Sequence, residues 1–536
     1  MKLTPLHALV GTLWAALPCG FLYTFSMFSE ALAKAFDFSE SQVSTIGMCQ
    51  LAMGLATFTA GILVDLIGVR RALLIGCLVN AGAWGIFALI ANKILLVQSP
   101  LPVFCALIAL STWGTSVCTG SLFSALSKNF AGHSSGPIGV AKAQVGIAGG
   151  VAAQVFVGFF PSRDDAPERL YYIYFLSASS GLFVLLSLPL IRVFSQSELM
   201  AASAGRGDSC ITPQWHLKTL IAITLLLVAT TQACSFIHDE GINLSPAILV
   251  ILALPALLLF PKCNSFSPQK TAADGPVKAE KEEENRVSPW AGGPAQMVRR
   301  PETWLLWFTV FAVIGGGTLL TTNLGAMTAS RSGPLASAAT AVTTFSCAQS
   351  LGRLFGGMLS DIVVSLRWAR PWCFVALTLL MALAHGILCF PGLAPLYFGV
   401  ILAGLAFGVL WPLLIVSIAE LFGTERIASN YMLLDGSPSA IAGVLLAKLL
   451  TSAVYDAHTE TGSKACHGDQ CFRLTHMSMV GIETLACVAA VVLAMRSKVV
   501  YETSVFLGVD ERASSEASDD GSQMTPMRDN QWFIIR

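Results

Sequence analysis

The chain has 536 residues, of which 54% are hydrophobic and 12% charged, and its mean hydropathy is +0.68. Soluble domains average about 25% charged residues, so a surface covered by water is excluded and the chain belongs in a lipid bilayer. The 32 Lys and Arg balance the 32 Asp and Glu, which removes the electrostatic case for a nucleic-acid partner.

A helix needs about 20 mostly apolar residues to cross a hydrocarbon core about 30 Å thick. The first apolar run, 6–28, is longer than a signal-peptide core and reads as a spanning helix. Runs at 43–64, 72–91, 102–127, 137–160 and 172–191 complete a set of six. Two more follow at 216–236 and 245–260, the second carrying Pro255. The polar stretch Pro261–Arg300 contains KAEKEEENR (Lys278–Arg286) and reads as a linker. Six further runs, at 303–327, 335–359, 372–390, 395–418, 430–454 and 476–495, lead to the acidic tail ASSEASDDGSQ (Ala513–Gln523). The expected organisation is an N-terminal six-helix bundle at 1–192, two additional spanning helices at 193–260 and a cytoplasmic linker at 261–301. A C-terminal six-helix bundle follows at 302–498, then a disordered cytoplasmic tail at 499–536.

An even number of crossings puts both termini on one side, and basic residues select the cytoplasm for it. With the ends inside, Arg70, Arg71, Lys128, Arg192, Lys218, Lys262, Arg299, Arg300, Arg367, Arg370, Arg426, Arg496 and Lys498 all face the cytoplasm. The outer face receives Lys34, Lys93, Arg163, Arg169, Arg331, Lys464 and Arg473. Cys466 and Cys471 then flank HGDQ in an outer loop, a spacing that permits a disulfide. Zinc with His467 is the rival reading, although two Cys and one His fall short of a closed tetrahedral set. Asn243 opens the sequon Asn243-Leu244-Ser245 on the same side; a following Pro and the nearby bilayer count against its use. With no retention signal evident, the plasma membrane is the default location.

Two charged gaps interrupt the apolar pattern. GILVDLIGVRR (Gly61–Arg71) follows the second run, and a looser copy, GMLSDIVVSLRWAR (Gly357–Arg370), follows the second run of the later set. Repeated halves are the usual build of a secondary transporter. The pattern G-x-L-x-D-x-x-G-x-R-R resembles the signature loop of the major facilitator superfamily, with Gly61, Asp65, Gly68, Arg70 and Arg71 in register. The resemblance implies a cytoplasmic gate. Asp65 would accept from Arg70 or from a helix N-terminus in the other half. Gly357 and Asp361 would serve the second copy, which lacks the second Gly and has a longer loop.

Other segments are similar to the nodulin-like branch of that superfamily. They include GFLYTFSMFSEAL (Gly20–Leu32), GVAKAQVGIAGG (Gly139–Gly150), TTNLG (Thr321–Gly325), FGVLWPL (Phe407–Leu413), ELFG (Glu420–Gly423) and CHGDQCFRL (Cys466–Leu474). GHSSGP (Gly132–Pro137) resembles the superfamily's antiporter motif but breaks its spacing and is set aside. The fold the resemblance implies is an all-α polytopic membrane protein with the major facilitator fold. It has two six-helix bundles with two extra helices between them, about 14 spanning helices in all.

Polar groups inside spanning helices are costly and usually face a cavity or a partner. Arg353 could grip a carboxylate through two parallel bonds, pair with Asp361, or snorkel to the headgroups. Related carboxylate carriers resemble the first arrangement. Lys142 either attracts an anion or snorkels, and Lys448 reads as snorkelling. Asp435 could carry a proton, bind a cation, or pair with Arg353 or Arg426. Tyr23 and Asn323 lie on helices that line the central cavity in the resembling fold, and Trp411 could wall it. His385 reads as a packed histidine, and Glu483 has no evident partner.

No catalytic signature and no P-loop are present, so no enzyme activity, ATP hydrolysis or cofactor is expected. Iron prefers His and carboxylate ligands; few lie in the membrane, and no metal site is assigned. The resemblance implies a secondary transporter of a small molecule or ion, working by alternating access. Iron efflux or iron homeostasis ranks first, because some members of the branch are linked to iron handling. A proton-coupled or facilitated carrier of small carboxylates ranks second, and a non-transporting sensor third. The expected partners are the cargo and the bilayer, and the expected state is a monomer.

Overall fold

A computed structural model describes residues 3–131, 134–160, 167–195, 197–199, 214–237, 245–259, 288–331, 335–459 and 466–505. The Asn243 sequon, residues 261–287 of the linker and the tail beyond Val505 fall outside the described residues.

Apolar runs become helices because lipid leaves backbone N–H and C=O groups no partner except one another. The first, α1, is built from Pro5–Ala16, a 3-10 stretch Pro18–Thr24 and Phe25–Phe36. Next, α2 joins Glu40–Ala52, Met53–Ala56 and Thr57–Ile67. Its start is capped reciprocally: Gln42 N donates to Ser39 Oγ at 3.3 Å, and Ser39 N donates to Gln42 Oε1 at 2.9 Å. Then come α3 (Val69–Ala91), α4 (Pro100–Asn129), α5 (Ser135–Phe159) and α6 (Pro167–Ser187). The extra pair is α7 (Gln214–Ile237) and α8 (Ser245–Ala253 with Leu254–Leu259). The later set is α9 (Pro301–Ser330), α10 (Leu335–Ser365), α11 (Trp372–Leu388), α12 (Leu393–Phe422), α13 and α14 (Gln470–Val500). In α13, Ile427–Ala442 and Thr451–Ala457 are joined by a π-helical stretch, Gly443–Leu450.

Ten segments among the described residues are long and apolar enough to cross a membrane, and Pro5–Phe21, Pro246–Leu259 and Trp372–Leu388 are shorter apolar helices. The long, more polar α10 adds one more, so about fourteen crossings fit the described residues. The protein is a multi-pass membrane protein.

Two seams join the early helices to the late ones: α2 packs on α13, and α5 packs on α10. Both seams depend on glycine. A Cβ at Gly61 would collide with the Ala428 carbonyl oxygen, and one at Gly139 would come within 2.8 Å of the Leu354 oxygen. Small residues at a helix interface let backbones approach this closely. The extra pair sits against the second seam rather than apart from it. Ile147 and Val151 of α5, Leu227 and Val228 of α7, Ile251 of α8 and Cys347 of α10 form one buried cluster. Trp14 Nε1 also donates to the Leu252 oxygen at 3.0 Å, tying α1 to α8.

Replacing Gly61 by Val forces α2 away from α13. Overpacking of this kind costs about 1–3 kcal/mol, and the expected outcome is a lower unfolding midpoint for the purified protein in detergent. An unchanged midpoint would show that the seam is looser than described.

Candidate functional site

The two charged turns lie at the same end of the molecule as the start of α13 and the start of α5. Gly68 ends α2 and begins α3 at φ +84°, a left-handed conformation that suits glycine. Asp65, just before it, receives the backbone N–H of Ser429 at 2.9 Å. Ser429 is the third residue of α13, so Asp65 caps a helix of the opposite half, where unpaired N–H groups and a partial positive charge are exposed. Of the two donors expected for Asp65, the helix N-terminus is the one that supplies this bond. Arg70 instead donates to the oxygens of Leu188 and Pro189, each at 3.3 Å, and Arg71 is exposed. Lys128 adds a second cross-seam bond, to the Glu425 oxygen at 3.4 Å.

The second copy also joins an acid to a helix start of the opposite half, with more ionic support, but through a side-chain hydroxyl instead of a backbone N–H. Asp361 accepts from the hydroxyl of Ser135, the first residue of α5, and from Arg370 Nη1 at 2.9 Å. Arg370 also grips Glu420 through two bonds, at 2.8 and 2.7 Å, and Tyr501 donates to Glu420 at 2.6 Å. Burial works against the Arg370 charge, but Glu420 and Asp361 outweigh it and hold its pKa above the ordinary value. Lacking the second Gly, this copy takes its left-handed turn at Arg367, φ +64°. At Gly357 a Cβ would lie 2.5 Å from the Ser135 oxygen, so the close approach is preserved.

About two turns inward from these contacts, the seam holds two buried cations. Lys142 of α5 is 3% exposed and Arg353 of α10 is 1% exposed. Lys142 Nζ donates to Tyr431 Oη at 2.6 Å and stands over the rings of Phe123, Tyr431 and Trp411 at 4.2, 4.9 and 5.4 Å. Arg353 donates to Gln349 Oε1 at 3.1 Å and to the Lys142 oxygen at 3.4 Å, and its guanidinium lies 5.4 Å from the Trp411 ring. Trp411 thus faces both cations, an attraction worth about 2 kcal/mol or more when desolvated. Its Nε1 is buried with no hydrogen-bond partner among the described residues. Asp435, one turn beyond Tyr431 on α13 and half-buried, interacts with Lys142, Tyr431 and Arg353.

Four of the six residues singled out as substrate contacts therefore meet: Lys142, Arg353, Trp411 and Asp435. Asp361 bonds to Arg370, and Arg353 donates to Gln349 and to the Lys142 oxygen. Asn323 is engaged with the Leu319 and Ala447 oxygens at 2.8 and 3.1 Å. The side chain of Tyr23 lies outside the described residues. Lys448 is exposed, while His385 is buried with its Nδ1 3.0 Å from His476 Nδ1. Glu483 is buried, with no partner for either carboxylate oxygen among the described residues. Cys466 and Cys471 form a disulfide, S–S 2.03 Å, which leaves neither thiolate for zinc.

Sequence reasoning missed Tyr431, Phe123, Gln349, Ser135 and Ser429. Tyr431 and Gln349 were findable, because each lies four residues before a residue already marked, on the same helix face. Ser135 sits in GHSSGP, which was set aside for its spacing.

The Nodulin-like family matches residues 6–262. Two solved structures share the architecture. The major facilitator superfamily transporter FucP in its outward conformation aligns with TM-score 0.52 and 13% identity, covering 90% of this chain and 98% of that one. The proton:xylose symporter XylE, bound to 6-bromo-6-deoxy-D-glucose, gives 0.54 and 12%, covering 90% and 94%. The Nodulin-like match covers just under half of the chain, and the fold is shared with these two transporters. Both the expected fold and the resemblance to the nodulin-like branch are borne out. No curated protein matches the chain.

Replacing Arg370 by Ala leaves Glu420 without its counter-ion. Breaking a buried ion pair in this way costs about 3 kcal/mol. The expected outcome is a clear fall in the unfolding midpoint in detergent, larger than that of Asp65→Asn.

Proposed function

We propose that the protein is a secondary transporter that works by alternating access and carries a small organic anion, most simply a monocarboxylate. The observation that carries this reading is the pair of buried cations, Lys142 from the early half and Arg353 from the late half, facing one Trp411 ring. Two cations against the single carboxylate of Asp435 leave the site one positive charge in excess. The donors available are an ammonium, a guanidinium, a phenol and the unpartnered indole N–H. That set suits an acceptor-rich oxyanion, and guanidinium binds a carboxylate through two parallel bonds.

Iron efflux rests on the family resemblance. Among the described residues no group of three His, Cys, Asp or Glu is placed to hold a metal ion, so the side chains favour an anion over free iron. The proposed orientation places both termini and the two charged turns in the cytoplasm, at the plasma membrane, with the disulfide outside.

The test is uptake by liposomes containing the purified protein, with labelled lactate and labelled ferrous iron offered separately. Saturable lactate uptake is expected, and Arg353→Gln should lower it at least about tenfold at equal incorporation, since a lost charge-assisted pair is worth about 1.5–3 kcal/mol. Iron uptake without lactate uptake would overturn the reading, and so would lactate uptake unaffected by Arg353→Gln.

A further inference from the structure

Just before α9, the chain crosses the charged end of the molecule as a strap, Ser288–Arg300. It begins with a turn that the sequence favours. Ser288 leads, Pro289 follows, and Ala291 N donates to the Ser288 oxygen at 2.9 Å. Trp290 N also donates to Ser288 Oγ at 3.1 Å. Trp290 and Met297 are buried in the main core, while Pro289, Ala291, Val298 and Arg299 are exposed. Two apolar anchors thus hold down an otherwise open segment.

The strap is fastened to the turn between α12 and α13. A helix C-terminus leaves carbonyl groups with no partner in its own helix. Two of them at the end of α12 find partners in the strap. Ser288 Oγ donates to the Leu421 oxygen at 2.6 Å, and Gly292 N donates to the Phe422 oxygen at 3.1 Å. On the α13 side, Asn430 Nδ2 donates to the Gly292 oxygen at 2.8 Å. The early half holds the same turn from across the seam: Asp65 accepts from Ser429 N, next to Asn430, and Lys128 donates to the Glu425 oxygen. The strap therefore braces the piece of chain on which the Asp65 contact stands.

Ser288 is the point at which chemistry can release the strap. Its hydroxyl donates to Leu421 and accepts from Trp290, and Ser followed by Pro is the pair that proline-directed protein kinases read. We propose that Ser288 is a phosphorylation site that unlatches the strap and loosens the Asp65 contact. The γ-phosphoryl group of a nucleoside triphosphate passes to Ser288 Oγ. An O–P bond forms, the bond to the leaving nucleoside diphosphate breaks, and the hydroxyl proton goes to the kinase's general base. The ester has no hydroxyl proton to give Leu421. It also adds a charge of about −1.5 to −2 at a helix end that already carries the negative pole of its dipole. Arg300, which donates to the Pro289 oxygen at 3.2 Å, is a cation the phosphate would draw away, undoing another bond of the strap.

Ser288 is buried while the strap is docked. A kinase then reaches it only in chains whose strap has lifted, and the phosphate captures that state. The inference holds whatever the cargo. It rests on the cytoplasmic placement of the charged turns proposed above, since protein kinases and their nucleotide act there.

The experiment treats the purified full chain in detergent with a proline-directed kinase and ATP, and reads it by mass spectrometry and hydrogen exchange. Phosphate at Ser288 is expected, with faster exchange in peptides covering 288–300 and 424–432. No phosphate at Ser288 overturns the site. Trp290→Ala, which removes an anchor, should be phosphorylated several-fold faster, and an equal rate overturns the docked strap. If that variant does not fold, Met297→Ala carries the same expectation. Ser288→Ala should take no phosphate at this position and should speed exchange of the strap about fivefold, the worth of one hydrogen bond. Ser288→Glu adds charge at the helix end and should speed exchange at least about tenfold in both peptides. Faster exchange in the strap with no change at 424–432 overturns the link to the Asp65 contact. In detergent both faces are open to the enzyme. On intact cells, kinase and ATP added from outside should leave Ser288 unlabelled. Labelling there would overturn the cytoplasmic placement and the regulatory role with it, while the docked strap would stand.

Discussion

Each half of the protein holds the start of a helix of the other through an acidic side chain. Asp65, beside the end of α2, accepts the N–H of Ser429 in the first turn of α13, and Asp361, on α10, accepts the hydroxyl of Ser135 at the start of α5. A helix N-terminus has N–H groups with no partner in its own helix and carries about half a positive charge. Asp65 answers both needs from across the seam, while Asp361 meets the hydroxyl of the first residue of α5. The bonds can form because Gly61 and Gly357 bring the backbones together with no side chain between them. Under the proposed alternating access, these reciprocal contacts would break as the halves separate and re-form on their return.

The same seams that the caps hold shut place Lys142 opposite Arg353. Bringing two like charges together in a buried space is a poor way to stabilise a fold. Ionisable residues inside a membrane cost about 2.5–3.5 kcal/mol each even on the lenient insertion scales. The aromatic faces of Phe123, Tyr431 and Trp411, together with Asp435, offset part of that cost. The Trp411 indole N–H, with no partner among the described residues, adds to the imbalance. Residues kept in an arrangement that does not favour stability point to a ligand that completes it, which is the argument behind the proposed anion.

The architecture was legible because its signal is long. A run of about 20 apolar residues has few alternatives to a membrane helix, and the charged turns after the second and tenth helices marked the repeat. The acid Asp435 and the cations Lys142 and Arg353 were legible for a related reason, since charge stands out against an apolar background. Tyr431 and Phe123 did not stand out, because an aromatic residue in a membrane helix looks like core until its neighbour is known. The bond from Ser429 to Asp65 was hidden for another reason. The donor is a backbone N–H, which any residue carries, so its sequence position holds no mark of it. The ion pair of Arg370 with Glu420 spans fifty residues and two helices, and only packing brings it together.

Distances along the helices tie the gate to the site. On α5, Ser135 at the clasp and Lys142 at the site are seven residues apart, about 10 Å at the rise of a helix. On α13, Ser429 and Tyr431 differ by two residues and Asp435 follows one turn later. On α10, Arg353 precedes Asp361 by eight residues, about 12 Å. Each of the three helices therefore carries one contact of the clasp and one group of the site on a single rigid rod. A rod that tilts at the clasp must also displace the charge it carries. Under the proposed function, parting of α5 and α10 at the charged turns would draw Lys142 and Arg353 away from their shared tryptophan and loosen an anion held between them. On that reading, release of cargo and opening of the gate would be one motion, because each rod carries both groups.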